Sequence, residues 1–296
     1  MKDIFTIIFR LTLSCVLAGT VMGTTFVLTN KAKKHNEHVK EERVAFSLLG
    51  FKGEVPESVT METAYRYVLS RGGDQFIGYL MPRQESKEGG YRFLQLDLDG
   101  NLAEKYRVDI TAEQAAGAKE RDQSISAVLP QGVEMRFAEQ FKIVFRDGVR
   151  SAYLISGKFP GFKTHIAVMM ALDSDFSIIG FEVLEHEEDP GLGGEIEKPY
   201  FKNQFKGKSF EVVQDLEVVK SPIPEDYLKA LEVDIPPEAV KKVMQQHRGD
   251  DIYALTGATI STVAVTEGLK GMIKKFAYRV NVLDSVIDNQ QIAVSF

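Results

Sequence analysis

An uncharged apolar run near the start of the chain restricts its fold more than any other sequence feature. The range Leu11–Leu28 contains no charged residue, and Ile4–Phe9 extends the run on the other side of Arg10. About twenty apolar residues are enough to cross the hydrocarbon core of a bilayer as an α-helix. The sequence therefore predicts a membrane anchor over residues 1–30, which contacts the bilayer through Ile4–Leu28.

A cleaved signal peptide is the alternative to a retained anchor. Signal peptides have a shorter apolar core and end at a small-residue cleavage site. Neither feature is evident here, so a single-pass helix is favoured. The positive-inside rule leaves the orientation of this helix in the membrane open, because positive residues flank both ends of the run. Lys2 and Arg10 lie on one side, and Lys31, Lys33 and Lys34 lie on the other.

The composition of the chain is that of a folded globular protein. Hydrophobic residues make up 44% and charged residues 26%, and the net charge is -6. These values allow a core to form, and the absence of a basic patch argues against nucleic acid as a partner. The single cysteine, Cys15, cannot form a disulfide within one chain. His35 and His38 lie in a charged run, so no metal site is predicted.

Alternating patterns and turn signals predict an α+β fold with a mainly antiparallel sheet. Tyr91–Leu98 alternates and ends at Asp99-Gly100, which is typical of a hairpin. Later strands are predicted over Phe141–Phe145, Arg150–Ile155, His165–Leu172 and Ile178–Leu184. Helices are predicted over Lys31–Arg43, Met61–Leu69, Pro224–Leu231, Pro237–Gln246 and Val263–Tyr278, with a surface helix or loop over Thr111–Arg121. Clustered strands and clustered helices are typical of the α+β class.

These elements suggest four parts in the chain. The anchor occupies residues 1–30, and a membrane-proximal helical and hairpin region occupies residues 31–130. A domain with the antiparallel strands and packed helices follows over residues 131–280, and residues 281–296 form a C-terminal tail.

The segment before the last predicted helix has the composition of an anion site. It reads Leu255-Thr256-Gly257-Ala258-Thr259-Ile260-Ser261-Thr262. Small residues let a backbone approach a ligand closely. The first amides of a helix have no internal partners and favour a phosphate. Four hydroxyl side chains add hydrogen-bond donors, although an ordinary Ser/Thr helix cap has a similar composition.

A second motif is acidic and rich in glycine. It reads Glu185-His186-Glu187-Glu188-Asp189-Pro190-Gly191-Leu192-Gly193-Gly194. Pro190-Gly191 predicts a turn, and the further glycines allow the chain to wrap closely around a flat group. A solvated acidic loop is the alternative. The glycine spacing is not that of a dinucleotide-binding fingerprint.

The chain has an apolar helix, then the acidic loop, then the Thr-Gly-Ala-Thr segment. In this order the two motifs resemble those of FMN-binding domains. These domains occur in the RnfG component of the Rnf electron-transport complex and in the NqrC component of the sodium-pumping NADH:quinone reductase. The family pattern Asp-x-x-Ser/Thr-Gly-Ala-Thr matches Thr256–Thr259, and its Glu-Thr-Pro-Gly-Leu-Gly loop matches Glu188–Gly193. Tyr253 replaces the family aspartate and Asp189 the family threonine. The resemblance covers the anchor and roughly Phe141–Tyr278.

The resemblance implies FMN as the cofactor, with its phosphate esterified to Thr259. It also implies cofactor contacts from both motifs: Thr256, Gly257, Ala258, Ser261 and Thr262, and Glu188, Asp189, Gly191, Leu192 and Gly193. No residue is expected to be catalytic, because the cofactor carries the redox chemistry and the protein tunes it. Glu187 and Glu188 are expected either to lower the flavin potential or to be solvated.

The function implied is that of an electron-transfer subunit in a membrane-bound, ion-translocating oxidoreductase complex. We expect a single-pass protein of the bacterial inner membrane with an extracytoplasmic domain. Its implied partners are the other membrane and redox subunits of an Rnf-type complex and the flavin transferase that attaches FMN. The spacing around His186 and the Pro-Gly-Leu-Gly loop favours the Rnf type.

Two alternative functions remain. One is a membrane-tethered binding or assembly protein that has lost covalent flavin, which Tyr253 suggests. The other is a stand-alone flavin reductase domain.

Overall fold

The computed structural model describes residues 2–51, 53, 55–84, 90–232 and 238–296. The chain divides into two compact units, Met1–Ser47 and Leu48–Phe296.

The first unit is formed by the long helix α1 (Lys2–Leu48), which includes the helix predicted over Lys31–Arg43. Within α1, Ile4–Val27 is a stretch of 24 residues that is long and apolar enough to cross a membrane, and its side chains are not buried against protein. At 1.5 Å per residue this stretch is about 36 Å long, which exceeds the roughly 30 Å hydrocarbon core of a bilayer. The prediction of one N-terminal apolar helix is therefore confirmed.

The second unit is built on an eight-stranded antiparallel sheet. Its strands are β1 (Val59–Arg71), β2 (Asp74–Pro82), β3 (Tyr91–Leu96), β4 (Leu102–Val108), β5 (Glu134–Arg146), β6 (Val149–Pro160), β7 (His165–Asp173) and β8 (Ile178–Glu185). They lie in the order β4-β3-β2-β1-β5-β6-β7-β8. Two meanders are thus joined side by side through the β1–β5 pair. The predicted α+β class and all five predicted strands are confirmed.

The helix predicted over Met61–Leu69 is wrong, because this segment is the middle of β1. Tyr65, Tyr67 and Leu69 are buried on one face of the sheet. Aromatic and β-branched residues favour strands, and β1 pairs with β5 over Val59–Ser70 and with β2 over Tyr65–Arg71. The alternation of the buried side chains has a period of two, which is the strand period.

Two short helices cover one face of the sheet. Helices α2 (Ala112–Ala116) and α3 (Ala118–Val128) contribute Ala115 and Ile125 to the same buried cluster as the β1 tyrosines. The predicted helix or loop over Thr111–Arg121 is therefore helical. Arg121 is buried rather than on the surface, with its guanidinium 4.4 Å from the Tyr65 ring centroid.

The long helix α8 (Thr259–Asn289) belongs to the core cluster on the other face of the sheet. It packs closely on β6, since a Cβ on Gly268 would lie 2.4 Å from a ring atom of Phe159. The predicted helix Val263–Tyr278 is confirmed, but α8 extends beyond both of its ends. The earlier start matters for function, because it makes Thr259 the first helical residue.

Several short elements connect β8 to α8. In chain order these are 3₁₀ turns at Gly193–Glu197 and Asn203–Phe205, helices α4 (Pro199–Lys202), α5 (Phe210–Asp215), α6 (Glu225–Leu231) and α7 (Glu238–Gln246), and the parallel pair β9 (Val218–Val219) and β10 (Ile252–Tyr253). The two helices predicted in this region are confirmed as α6 and α7, and Pro237 lies outside the described residues.

The domain boundaries at 130 and 280 stay predictions. Strands from both sides of residue 130 share one sheet, and α8 runs across residue 280.

Candidate functional site

The side chain of Glu188 joins three segments that are far apart in the sequence. It is only 4% exposed. Its Oε1 accepts hydrogen bonds from the backbone N–H groups of Phe162 (2.8 Å) and Lys163 (3.2 Å), which lie in the β6–β7 turn. Its Oε2 accepts a hydrogen bond from the Ser261 hydroxyl in the first turn of α8. Because a buried carboxylate is costly without donors, these bonds fix the turn, the acidic loop and the helix start together.

The two motifs found in the sequence are in direct contact. A Cβ on Gly193 would lie 2.6 Å from the Ser261 hydroxyl oxygen, so this position has room only for glycine. Gly257 has a positive φ of 74°, and a Cβ there would lie 3.0 Å from the Leu192 side chain. The structure therefore brings the acidic loop and the Thr-Gly-Ala-Thr segment to one place, as a shared ligand would require.

The N-terminus of α8 has no side-chain cap. Its N-cap residue is Ala258, and the first backbone bond of the helix is from the Thr262 N–H to the Ala258 carbonyl (3.1 Å). The amides of Thr259, Ile260 and Ser261 have no hydrogen-bond partner among the residues that the structure describes. Free amides and the positive end of the helix dipole favour an anion at this point.

The four hydroxyls of the motif divide into two pairs with different roles. Thr262 is buried and closes the loop, since its Oγ1 accepts from the Leu255 N–H (3.0 Å) and donates to the Ala258 carbonyl (3.1 Å). Ser261 donates to Glu188. Thr256 is exposed and Thr259 is half-buried, and neither hydroxyl bonds to any described part of the chain. These two are therefore the hydroxyls that can reach a ligand.

Large apolar side chains are exposed around the helix start. Phe162 in the β6–β7 turn is 55% exposed, and Leu192, Ile260 and Val263 are exposed as well. Exposed apolar groups on segments that are otherwise held in place are typical of a ligand or protein contact. Phe162 is not among the site residues that the sequence predicts, although an aromatic residue in a tight turn after a predicted strand is a usable signal.

The charged side chains of the acidic loop differ in their surroundings. The Asp189 carboxylate accepts a hydrogen bond from the Lys163 ammonium, and this bond raises the pKa of Lys163. His186 accepts from the Glu188 N–H through Nδ1 (3.0 Å), and its Nε2 lies 3.2 Å from Glu197 Oε1. Glu187 is exposed. The alternative of a solvated acidic loop therefore fits Glu187 but is wrong for Glu188, which is buried.

Tyr253, which replaces the family aspartate, is held within the fold. Its backbone N–H donates to Gln204 Oε1 (2.8 Å), and its hydroxyl donates to Asp250 Oδ2 (3.3 Å). The same carboxylate oxygen lies 2.6 Å from His247 Nδ1. Burial, and then the nearby Asp250 carboxylate, raise the pKa of the Tyr253 phenol. This residue therefore orders the chain that leads into the Thr-Gly-Ala-Thr segment.

Away from the two motifs, the described part of the chain has a cavity but no candidate metal site. Within the described residues, no group of three or more His, Cys, Asp or Glu side chains is placed to hold a metal. A cavity of about 350 Å³ lies beside the β1–β2 hairpin, and its lining includes Arg71, Gln95, Glu104 and Tyr106 but no residue of the two motifs.

The fold and the site define a domain with an antiparallel sheet whose longest packed helix starts at an uncapped, hydroxyl-rich loop. Residues 161–274, which include both motifs, match the FMN-binding domain family. The chain is 27% identical over 124 residues to the G component of the proton-translocating ferredoxin:NAD(+) oxidoreductase complex of Clostridium ljungdahlii, covering 42% of this chain and 52% of the relative. The chain thus spans about half the length of that curated relative.

Two further proteins are similar. The G component of the ion-translocating oxidoreductase complex of Methanosarcina acetivorans is 26% identical over 170 residues, which cover 53% of this chain and 74% of the relative. The crystal structure of the C component of Na(+)-translocating NADH-quinone reductase from Parabacteroides distasonis is 17% identical, with a TM-score of 0.39 over 82% of this chain and 92% of that one. The family match is confined to residues 161–274, and the resemblance to Rnf-type and quinone-reductase subunits is confirmed.

Proposed function

We propose that this protein is an FMN-carrying electron-transfer subunit of a membrane-bound, ion-translocating oxidoreductase complex of the Rnf type. The observation that carries the proposal is the contact between the two motifs inside the family match, where Glu188 is bonded to Ser261 at the uncapped start of α8. The similar proteins named above are subunits of such complexes, which supports a role alongside other membrane and redox subunits.

The residues at the helix start fit the two chemically different ends of FMN. The free amides of Thr259, Ile260 and Ser261 would bind the phosphate, with the Thr256 hydroxyl as an additional donor. The exposed side chains of Leu192 and Ile260 would contact the apolar face of the ring. When bound, FMN supplies the redox chemistry, and the protein positions the ring and sets its surroundings.

A covalent link through Thr259 is part of the proposal. Thr259 is the first residue of α8, and its hydroxyl is free among the described residues. Oγ1 would attack the phosphorus of an activated flavin phosphate such as a flavin dinucleotide, so that the Oγ1–P bond forms as the bond from that phosphorus to the leaving nucleotide breaks and the threonine proton is released. A flavin transferase would supply the activated flavin phosphate. The amides that bind the phosphate would hold it beside the hydroxyl that attacks it.

The proposed location is the bacterial inner membrane, with Ile4–Val27 as the anchor and the flavin domain on the extracytoplasmic side. A reporter that is active only outside the cytoplasm, fused after Phe296, should be active. A reporter that is active only in the cytoplasm should be silent, and activity of the cytoplasmic reporter would contradict this orientation.

A membrane-tethered binding or assembly protein that has lost its flavin is the second candidate. Tyr253 favours it, because the family aspartate at this position is replaced by a residue that is engaged with Gln204 and Asp250. The two candidates differ in colour. The full chain, expressed with a flavin transferase and purified in detergent, should be yellow with the absorption maxima of a flavin. A colourless protein that also fails to take up added FMN would contradict the proposed function.

A further inference from the structure

We propose that Phe162 forms a wall of the flavin site and that Glu188 is the positioning residue that holds this wall against the start of α8. The inference rests on the proposed function and adds to it a segment that neither motif contains. It assigns to the β6–β7 turn a direct contact with the ring of the cofactor.

The side chain of Phe162 is 55% exposed, although a phenylalanine gains a large favourable free energy when it is buried. Its ring makes no aromatic or cation–π contact with any other residue that the structure describes. A flat aromatic cofactor would cover this ring in the offset or edge-on geometries that aromatic pairs prefer.

The β6–β7 turn is fixed in place, so the exposed ring is not a consequence of a loose loop. The Gly161 N–H donates to the Thr164 carbonyl (2.6 Å), which closes the turn. The next two amides, of Phe162 and Lys163, both donate to Glu188 Oε1. A Cβ on Gly161 would lie 2.5 Å from that same oxygen, so the backbone sits directly against the carboxylate.

The turn also lies close to the predicted attachment residue. One carboxyl group separates the Phe162 amide from the Ser261 hydroxyl, since each bonds to a different oxygen of Glu188. Ser261 lies two residues after Thr259 in the first turn of α8. A ring attached through its phosphate at Thr259 would therefore be within reach of Phe162.

Lys163 is less suited to contact the ring than its neighbour. Its ammonium is paired with the Asp189 carboxylate, and this pairing directs the side chain toward the acidic loop. Phe162, whose ring has no aromatic or cationic partner in the described chain, is therefore the residue of this pair that faces the ligand.

The test uses the fact that the chain contains no tryptophan. An indole that touches a flavin quenches its fluorescence, so the Phe162→Trp variant of the flavin-loaded protein should fluoresce severalfold less than wild type. Tyr278→Trp is the matched control, because Tyr278 is 68% exposed and lies about 28 Å along α8 from Thr259 at 1.5 Å per residue. It should leave the fluorescence unchanged. Unfolding should bring all three proteins to equal intensity.

The role of Glu188 is tested in the Phe162→Trp background. Glu188→Ala removes the acceptor of the two turn amides and should restore the flavin fluorescence. Glu188→Gln keeps one acceptor oxygen and should preserve most of the quenching, which a general loss of packing would not do. Quenching that survives Glu188→Ala would show that Glu188 does not position the wall.

The outcomes separate this inference from the function on which it rests. A wild-type chain without flavin would overturn both. A flavin-loaded wild type together with an unquenched Phe162→Trp variant would overturn the wall alone.

Discussion

The hydroxyl of Ser261 donates a hydrogen bond to the carboxylate of Glu188, which lies 73 positions earlier in the chain. Both side chains are buried. This bond joins the acidic loop after β8 to the first turn of α8. It makes one site from two motifs that in the sequence are separate.

Ser261→Ala should destabilise the protein, because the buried Glu188 carboxylate loses one of its three donors. The expected cost is about 1–3 kcal/mol of unfolding free energy, as for other buried polar groups that lose a partner. Urea unfolding of the full chain in detergent, followed by circular dichroism, measures it. Ser285→Ala is the control, since Ser285 is an exposed serine of the same helix that bonds only to the Asn281 carbonyl. Equal midpoints for the two variants would contradict a structural role for the Ser261–Glu188 bond.

Gly193→Val should weaken flavin retention more than Gly191→Val. A Cβ on Gly193 would lie 2.6 Å from the Ser261 hydroxyl oxygen, so the larger side chain must push the loop away from α8. Gly191 has a positive φ of 72° but open space around it, so its variant carries mainly backbone strain. Because a covalently linked flavin cannot dialyse away, both variants are made in the Thr259→Ala background and loaded with added FMN, and the ratio of flavin absorbance to protein after dialysis measures retention. Full retention in the Gly193 variant would show that the loop does not contact the ligand.

Local sequence patterns predict some strands of this fold and miss others. The four strands after residue 140 are predictable because their alternation is local and turns separate them. The strand at Met61–Leu69 is not, because its character depends on long-range pairing with β5 and, from Tyr65 onward, with β2.

The site shows the same division between local and long-range information. Composition identifies the two motifs and predicts a helix from Val263, four residues after the observed start at Thr259. It does not distinguish Ser261 and Thr262, which are bonded within the fold, from Thr256 and Thr259, which are free among the described residues. That distinction depends on burial, as does the link from Glu188 to the β6–β7 turn.

Lys208 gives a prediction for the pH dependence of stability. Its side chain is buried, and its ammonium donates to the carbonyls of His247, Arg248 and Asp250. Burial lowers the pKa of Lys208 to about 8. Between that pH and the ordinary lysine value of 10.5, the unfolded chain holds a proton that the folded chain has lost, so the contribution of this group to stability rises with pH.

The measurement compares wild type with Lys208→Met over this range. The unfolding free energy of wild type, relative to that of Lys208→Met, should rise by about 3 kcal/mol as the pH rises from 8 to 10.5. Lys229→Met is the control, because Lys229 is an exposed lysine on α6 paired with Glu225, and its difference from wild type should stay flat. A flat difference for Lys208→Met would mean that the buried ammonium keeps its ordinary pKa.

Attachment of FMN to Thr259 at the start of α8 is tested most directly by in-gel flavin fluorescence after denaturation. The protein is expressed with a flavin transferase, denatured, and separated from free flavin by electrophoresis. Wild type should give a fluorescent band, Thr259→Ala should give none, and Thr256→Ala should keep the band at reduced strength, because it leaves the attachment oxygen in place. Bands of equal strength for wild type and Thr259→Ala would rule out Thr259 as the attachment residue, and a dark wild-type band would contradict covalent attachment altogether.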